Sequence, residues 1–180
     1  MLGGGYSARL NEEVRVKRGL SYGSGSVLTA RRTVGSFYAD AQTRNDAAPQ
    51  VADLIKATMA SLAASPPTPD ELAARKSSLV GEYGRAIATA AGLGEALENL
   101  AVYGIDLGEI RAYPDRIAAV TAGQAQAFAR DALSPKGASV IVAGDGKQFI
   151  DALKAKATDL EVVPIAQFAP DNPTLKPVAP

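Results

Sequence analysis

LGGGYSARLNEEVRVKRGLSYGSGS, residues 2–26, decides how the rest of the chain is to be folded. Gly3, Gly4 and Gly5 open it as a tight turn. Leu10 and Val14, four residues apart, then lie on one face, so a short helix is expected from Tyr6 to Lys17, with Arg18-Gly19 as its stop. A strand should follow. Ser21 to Ala30 and Val34 to Thr43 are rich in Ser, Val, Thr, Tyr and Phe and flank Arg31-Arg32-Thr33, which predicts an antiparallel hairpin whose first strand is weakened by Gly23 and Gly25.

Working outward from the hairpin, Val51, Leu54, Ile55, Met59 and Leu62 form the stripe of an amphipathic helix that should end near Ser65-Pro66-Pro67. Thr68-Pro69-Asp70-Glu71 combines an N-cap Thr, Pro at the first helical position and Glu three residues after the cap. That capping box predicts a helix through about Ile87, with Leu72, Leu79, Tyr83 and Ile87 inward. Leu93, Leu97, Leu100 and Ala101 mark another stripe, which should end at Gly104, and a further helical stretch near residues 107–120 contains Pro114. Thr121-Ala122-Gly123-Gln124 is a second capping box, leading a helix with Phe128, Ala129 and Ala132. Ser139 to Ala143 reads as a short buried strand, Lys147 to Ala157 as helix with Phe149, Ile150 and Leu153 inward, and Leu160 to Ile165 as a last strand.

The order hairpin, helices, strand, helix, strand predicts an α+β domain over residues 1–168, with helices packed on one face of an antiparallel sheet. Residues 169–180, with Pro170, Pro173, Pro177 and Pro180, read as a flexible Pro-rich tail. So few strands beside so much helix suggest that the sheet is incomplete, its first strand and helix lying upstream or in another chain.

Composition removes whole classes of function. Of the 180 residues, 47% are apolar, enough for a real core, while Lys plus Arg equals Asp plus Glu at 19 each with no block of one sign, so no nucleic-acid or membrane partner is expected. The apolar runs fall short of the roughly 20 residues that span a bilayer, and Met1-Leu2-Gly3 lacks the basic start of a signal peptide. There is no Cys and no His. Disulfides, thiolate nucleophiles, the common zinc ligand sets and Ser-His-Asp catalysis are therefore all outside this chain's reach.

Other candidate motifs have plain structural explanations. Gly3-x-Gly5-x-x-Ala8 matches a dinucleotide fingerprint by letter but has no room for the strand that must precede it, and Gly144-Asp145-Gly146 reads as an ordinary turn between strand and helix. Glu12/Glu13 and Asp70/Glu71 are neighbours that do not face each other on a helix, and suit capping or solvated roles better than catalysis. Arg15 and Tyr22 can point to one place, because Gly19 lets the chain turn sharply between them. Taken alone, they read as a surface cation and a half-buried strand aromatic.

The segment Leu2 to Ser26 resembles the second domain of pitrilysin/insulinase-type zinc metalloproteases, the group that includes the mitochondrial processing peptidases. There a Gly-rich turn is followed by a Ser-Arg-Leu-like helix start, then Leu/Val-Arg, Lys/Arg-Gly-Leu and Ser/Ala-Tyr. The hairpin, the Pro-Thr-Pro-Asp-Glu-Leu and Val-Thr-Ala-Gly-Gln helix starts and the Val-Ile-Val-Ala-Gly-Asp stretch occur in the same order, so the likeness runs from Leu2 to about Ile165. It implies the non-catalytic half of a two-domain clamshell. Arg15 and Tyr22, seven apart, match the family's Arg and Tyr that reach substrate, where two donors on one carbonyl oxygen would act as an oxyanion hole does. Active members carry His-x-x-Glu-His, which is absent here. The resemblance therefore places zinc and general base on a partner domain or subunit, with a peptide as substrate and a dimer as one possible assembly. It leaves no catalytic residue, metal ligand or cofactor on this chain and no peptidase activity expected from it alone. A purely structural or docking subunit of the same fold is the alternative. The residues do not fix the compartment; bacterial relatives that are exported point to the periplasm.

Overall fold

The computed structural model describes residues 1–157 and 159–172. Residues 173–180, most of the expected Pro-rich tail, lie outside the described residues. Helix α1 begins as Arg9–Asn11 and continues as a wider, π-helical turn over Glu12–Val16, in which the Lys17 N–H donates to the carbonyl of Glu12. Strands β1 (Ser21–Thr29) and β2 (Ser36–Thr43) pair antiparallel as the expected hairpin, with an irregularity between Ser21 and Ser24. Helices α2 (Ala48–Ala64), α3 (Pro69–Ala86), α4 (Ala90–Tyr103), α5 (Glu109–Ala119) and α6 (Ala122–Ala132) follow, then a short α7 (Ile150–Lys154). The class is α+β, with an antiparallel sheet that is not closed.

The core explains why α1 sits where it does. Leu10 and Val14 are fully buried, and Leu10 joins Leu2, Met59 and Leu62 of α2, Ala129 of α6 and Leu133, with Phe37 and Ala39 of β2 packed against them. These apolar stripes hold α1, α2 and α6 to one face of the hairpin by removing hydrocarbon from water. Helices α3 and α5 lean on each other instead. The Tyr83 and Tyr113 rings are 4.3 Å apart, the Tyr83 hydroxyl donates to the Ile110 carbonyl at 3.0 Å, and Lys76 Nζ donates to the Ala118 carbonyl at 2.6 Å. No residue of α3, α4 or α5 is fully buried. The expected inner faces of α3 and α4 are therefore only partly covered, with Leu93 and Leu97 exposed. Phe128 is exposed too, because α6 turns Ala129 toward the core and the adjacent position then faces out.

Two expected strands are not formed. Residues 139–143 and 160–165 have no regular strand structure up to Ile165, where a single 3-10 turn, Ile165–Gln167, begins. A strand exists only through a ladder to a neighbour. Among the described residues no backbone hydrogen bond joins 139–143 to β2; residues 139–143 and β2 instead both line a cavity of about 620 Å³, together with Val51, Ile55 and Met59 of α2. Ile141 is 90% exposed rather than buried. Among the described residues no helix is long and apolar enough to cross a membrane.

The first residues are tied down on both sides. The Ser26 N–H donates to the Gly3 carbonyl at 3.2 Å, so the glycine turn lies directly on β1. A Cβ on Gly3 would come within 2.3 Å of Ser26 N and 2.6 Å of Gly25 C, both backbone atoms. Gly3→Ala must therefore push the N-terminal segment off the strand, at an expected cost of about 2 kcal/mol, within the range for overpacked sites. Urea unfolding of the variant checks this; an unchanged midpoint would show that the turn is free to move.

Arg9 and Glu71 join α1 to the start of α3. Arg9 Nε and Nη2 donate to the two Glu71 oxygens at 2.8 and 3.0 Å, while Glu71 also accepts from the Thr68 N–H at 2.9 Å and donates its own N–H to Thr68 Oγ1 at 3.2 Å. The Arg9 fork, more than the capping bonds, pulls the Glu71 carboxyl down to about 2 against a partial burial that pushes it up. A carboxyl depressed in the folded state contributes stability that is complete above its unfolded value near 4.5 and is lost as the pH falls toward 2. With the side chain 32% exposed, screening leaves about 1 kcal/mol of that contribution. Glu71→Gln is expected to flatten the stability profile between those two pH values, as followed by urea unfolding across the acid range.

Candidate functional site

Arg15 and Tyr22 are brought side by side by three local devices. Val14, fully buried, fixes the rotation of α1, so that its neighbour Arg15 emerges half-buried at the helix edge beside β1. Gly19, at φ +62°, supplies the left-handed residue that the reversal needs; its N–H donates to the Arg15 carbonyl at 2.8 Å, and the Leu20 N–H donates to the Val14 carbonyl at 3.0 Å. The chain then enters β1 under restraint from Thr43, whose hydroxyl donates to the Leu20 carbonyl at 2.5 Å. Ser21 Oγ donates to the Gly23 carbonyl and accepts from the Gly23 N–H at 3.1 Å, closing a small loop around Tyr22 inside the irregular part of the hairpin. Irregularities of this kind re-aim a side chain. Tyr22 is accordingly 88% exposed, not a half-buried strand aromatic.

The Arg15 Cζ lies 4.8 Å from the centroid of the Tyr22 ring and 5.0 Å from that of Tyr6, both within cation–π range. Tyr6 escaped the sequence reading. Its position depends on the buried Asn11, whose Nδ2 donates to the Tyr6 carbonyl at 2.6 Å, and on the glycine turn before it, and no periodicity links residue 6 to residue 15 across that turn. An aromatic set among glycines and serines was the only available signal.

The other cations nearby are already paired. Lys17 and Arg18 both reach Glu13, at 2.5 and 2.6 Å, and they hold its carboxyl below the usual carboxylate range, Lys17 more strongly than Arg18. Arg15 has no hydrogen-bond acceptor among the described residues. Two aromatic rings attract its charge without supplying an oxygen, so its N–H donors remain available to a ligand.

For a metal the chain is a poor fit. It has no His and no Cys, and among the described residues no group of three or more metal-ligating side chains comes together. Neither the cavity beside β2 nor a smaller one between the N-terminus and α3 includes Arg15 or Tyr22, which stand instead on an open surface.

Residues 1–79 match the sequence profile described as the peptidase M16 inactive domain. Among solved structures, the chain is similar to a peptidase M16 inactive domain from Pseudomonas fluorescens, with 30% identity and a TM-score of 0.67 over 72% of this chain and 31% of that one. A conserved protein from Enterococcus faecalis V583 shares the fold at 22% identity and a TM-score of 0.64, over 72% of this chain and 30% of its own. So does a presumed zinc protease from Bordetella pertussis Tohama I, at 20% identity and a TM-score of 0.57, over 75% of this chain and 74% of that one. No curated protein matches. The chain thus spans about a third of the length of the first two of these structures.

Proposed function

We propose that this chain, whose residues 1–79 match the peptidase M16 inactive domain, is the non-catalytic, substrate-holding half of a zinc metallopeptidase. A partner domain or subunit supplies zinc, because this chain has no His or Cys to hold it, and with the zinc comes the general base that must work beside it. Arg15 and Tyr22 hold the backbone of a bound peptide. A guanidinium and a phenol hydroxyl donating to one carbonyl oxygen bind it and stabilise the negative charge that grows on it during hydrolysis.

The observation that carries this reading is the adjacency of an Arg15 guanidinium without an acceptor and a Tyr22 phenol that is 88% exposed. The test joins this chain with a zinc-bearing M16 partner and measures peptide cleavage. Arg15→Ala and Tyr22→Phe are each expected to slow it. Cleavage at the unmodified rate in both variants would overturn the role and leave a structural or docking subunit. A photo-cross-linking peptide provides the second arm: it should label the surroundings of Tyr22, and labelling confined to another surface would favour docking.

A further inference from the structure

Of the four basic side chains between Met1 and Arg18, three are neutralised within the chain: Arg9 by Glu71, and Lys17 and Arg18 by Glu13. Arg15 is flanked by the rings of Tyr6 and Tyr22, with no acceptor among the described residues. Because one carboxylate already serves two cations beside it, the local balance stays positive. The rings restrict the orientation of the guanidinium while leaving its five N–H donors for incoming groups, enough for a fork to the two oxygens of a carboxylate and a further donor to the held carbonyl.

We propose that Tyr6, Arg15 and Tyr22 together form a receptor for a carboxylate, so that the bound peptide is preferentially one with an acidic side chain next to the carbonyl that is held. This rests on the reading of Arg15 and Tyr22 as the peptide-holding pair and adds to it the class of peptide. Tyr6 is a positioning residue. Its ring keeps the guanidinium from swinging into solvent, which lowers the ordering cost of binding. Asn11, whose Nδ2 donates to the Tyr6 carbonyl, anchors the backbone from which that ring extends.

The experiment uses the full, nitrogen-15-labelled chain and two blocked ten-residue peptides that differ only in a central Glu or Gln. The Arg15 Nε–Hε resonance, shifted by the two aromatic rings, reports occupancy directly. The Glu peptide is expected to bind about tenfold more tightly, as charge-assisted pairing exceeds neutral pairing. That preference should vanish in Arg15→Ala, fall about threefold in Tyr6→Ala and return in Tyr6→Phe, which keeps the ring. Equal binding of the two peptides at Arg15 would overturn the carboxylate preference and leave the peptide-holding role standing. A Glu preference that survives in Arg15→Ala would also overturn it, since the selectivity would then arise elsewhere. If neither peptide moves the Arg15 or Tyr22 resonances, the peptide-holding role fails and the carboxylate receptor with it.

Discussion

Leu10→Ala is expected to lower the unfolding free energy by about 3–4 kcal/mol, within the range for large-to-small changes at fully buried leucines. Leu10 is 0% exposed and meets side chains from α2 and α6 as well as Leu2, so no single neighbour can move in to fill the space it leaves. With Val14 it is also one of the two fully buried side chains that attach a short helix. A helix as brief as α1 has no stability of its own in water and depends on packing of its buried face. Urea or thermal unfolding measures the loss, and a change below about 1 kcal/mol would mean that α1 is not held by this cluster. Leu133→Ala, at a site 8% exposed on the margin of the same cluster, should cost less.

The second large effect falls on activity. In an assembled peptidase, Arg15→Ala is expected to lower kcat about a hundredfold or more, the range seen when one donor to a developing oxyanion is removed. Tyr22→Phe should cost less. It deletes the hydroxyl but keeps a ring beside the guanidinium, so one donor is lost while the other stays in place. Arg15→Lys should fail to restore the rate, because a compact ammonium on a flexible stem cannot present a planar fork. If both donors act on one oxygen, the double variant should be less impaired than the product of the single effects, as expected for residues that work as a unit. A substrate-affinity change with kcat untouched would assign the pair to ground-state binding alone.

Where a signal was local, the sequence led to the right element. Thr68 and Thr121 close capping boxes in the structure with the Glu71 and Gln124 that their spacing nominated, and the stripe from Val51 to Leu62 does face the core. The nearness of Arg15 and Tyr22 was legible for the same reason, since a helix, one left-handed glycine and a strand start leave little freedom between them. Partner-dependent features were not legible. Ser139 to Ala143 has the composition of a buried strand, but a strand is a relation between two segments, and nothing in those five residues says how near β2 will lie. Leu93 and Leu97 show the corresponding limit for helices: periodicity identifies an apolar face without stating whether anything covers it. Tyr6 was invisible because its neighbourhood with Arg15 is made by a glycine turn and a buried amide, neither of which leaves a pattern along the chain.

The wide turn over Glu12–Val16 sets the heading of Arg15. Accommodating an extra residue in one loop of backbone delays every later side chain around the helix axis, so the Arg15 Cα–Cβ bond leaves the helix with a phase offset from Leu10. Turns of this type recur at functional sites. Part of its direction is thus stored in the main chain: deleting one residue there would swing the side chain round to another compass bearing while leaving its chemistry intact.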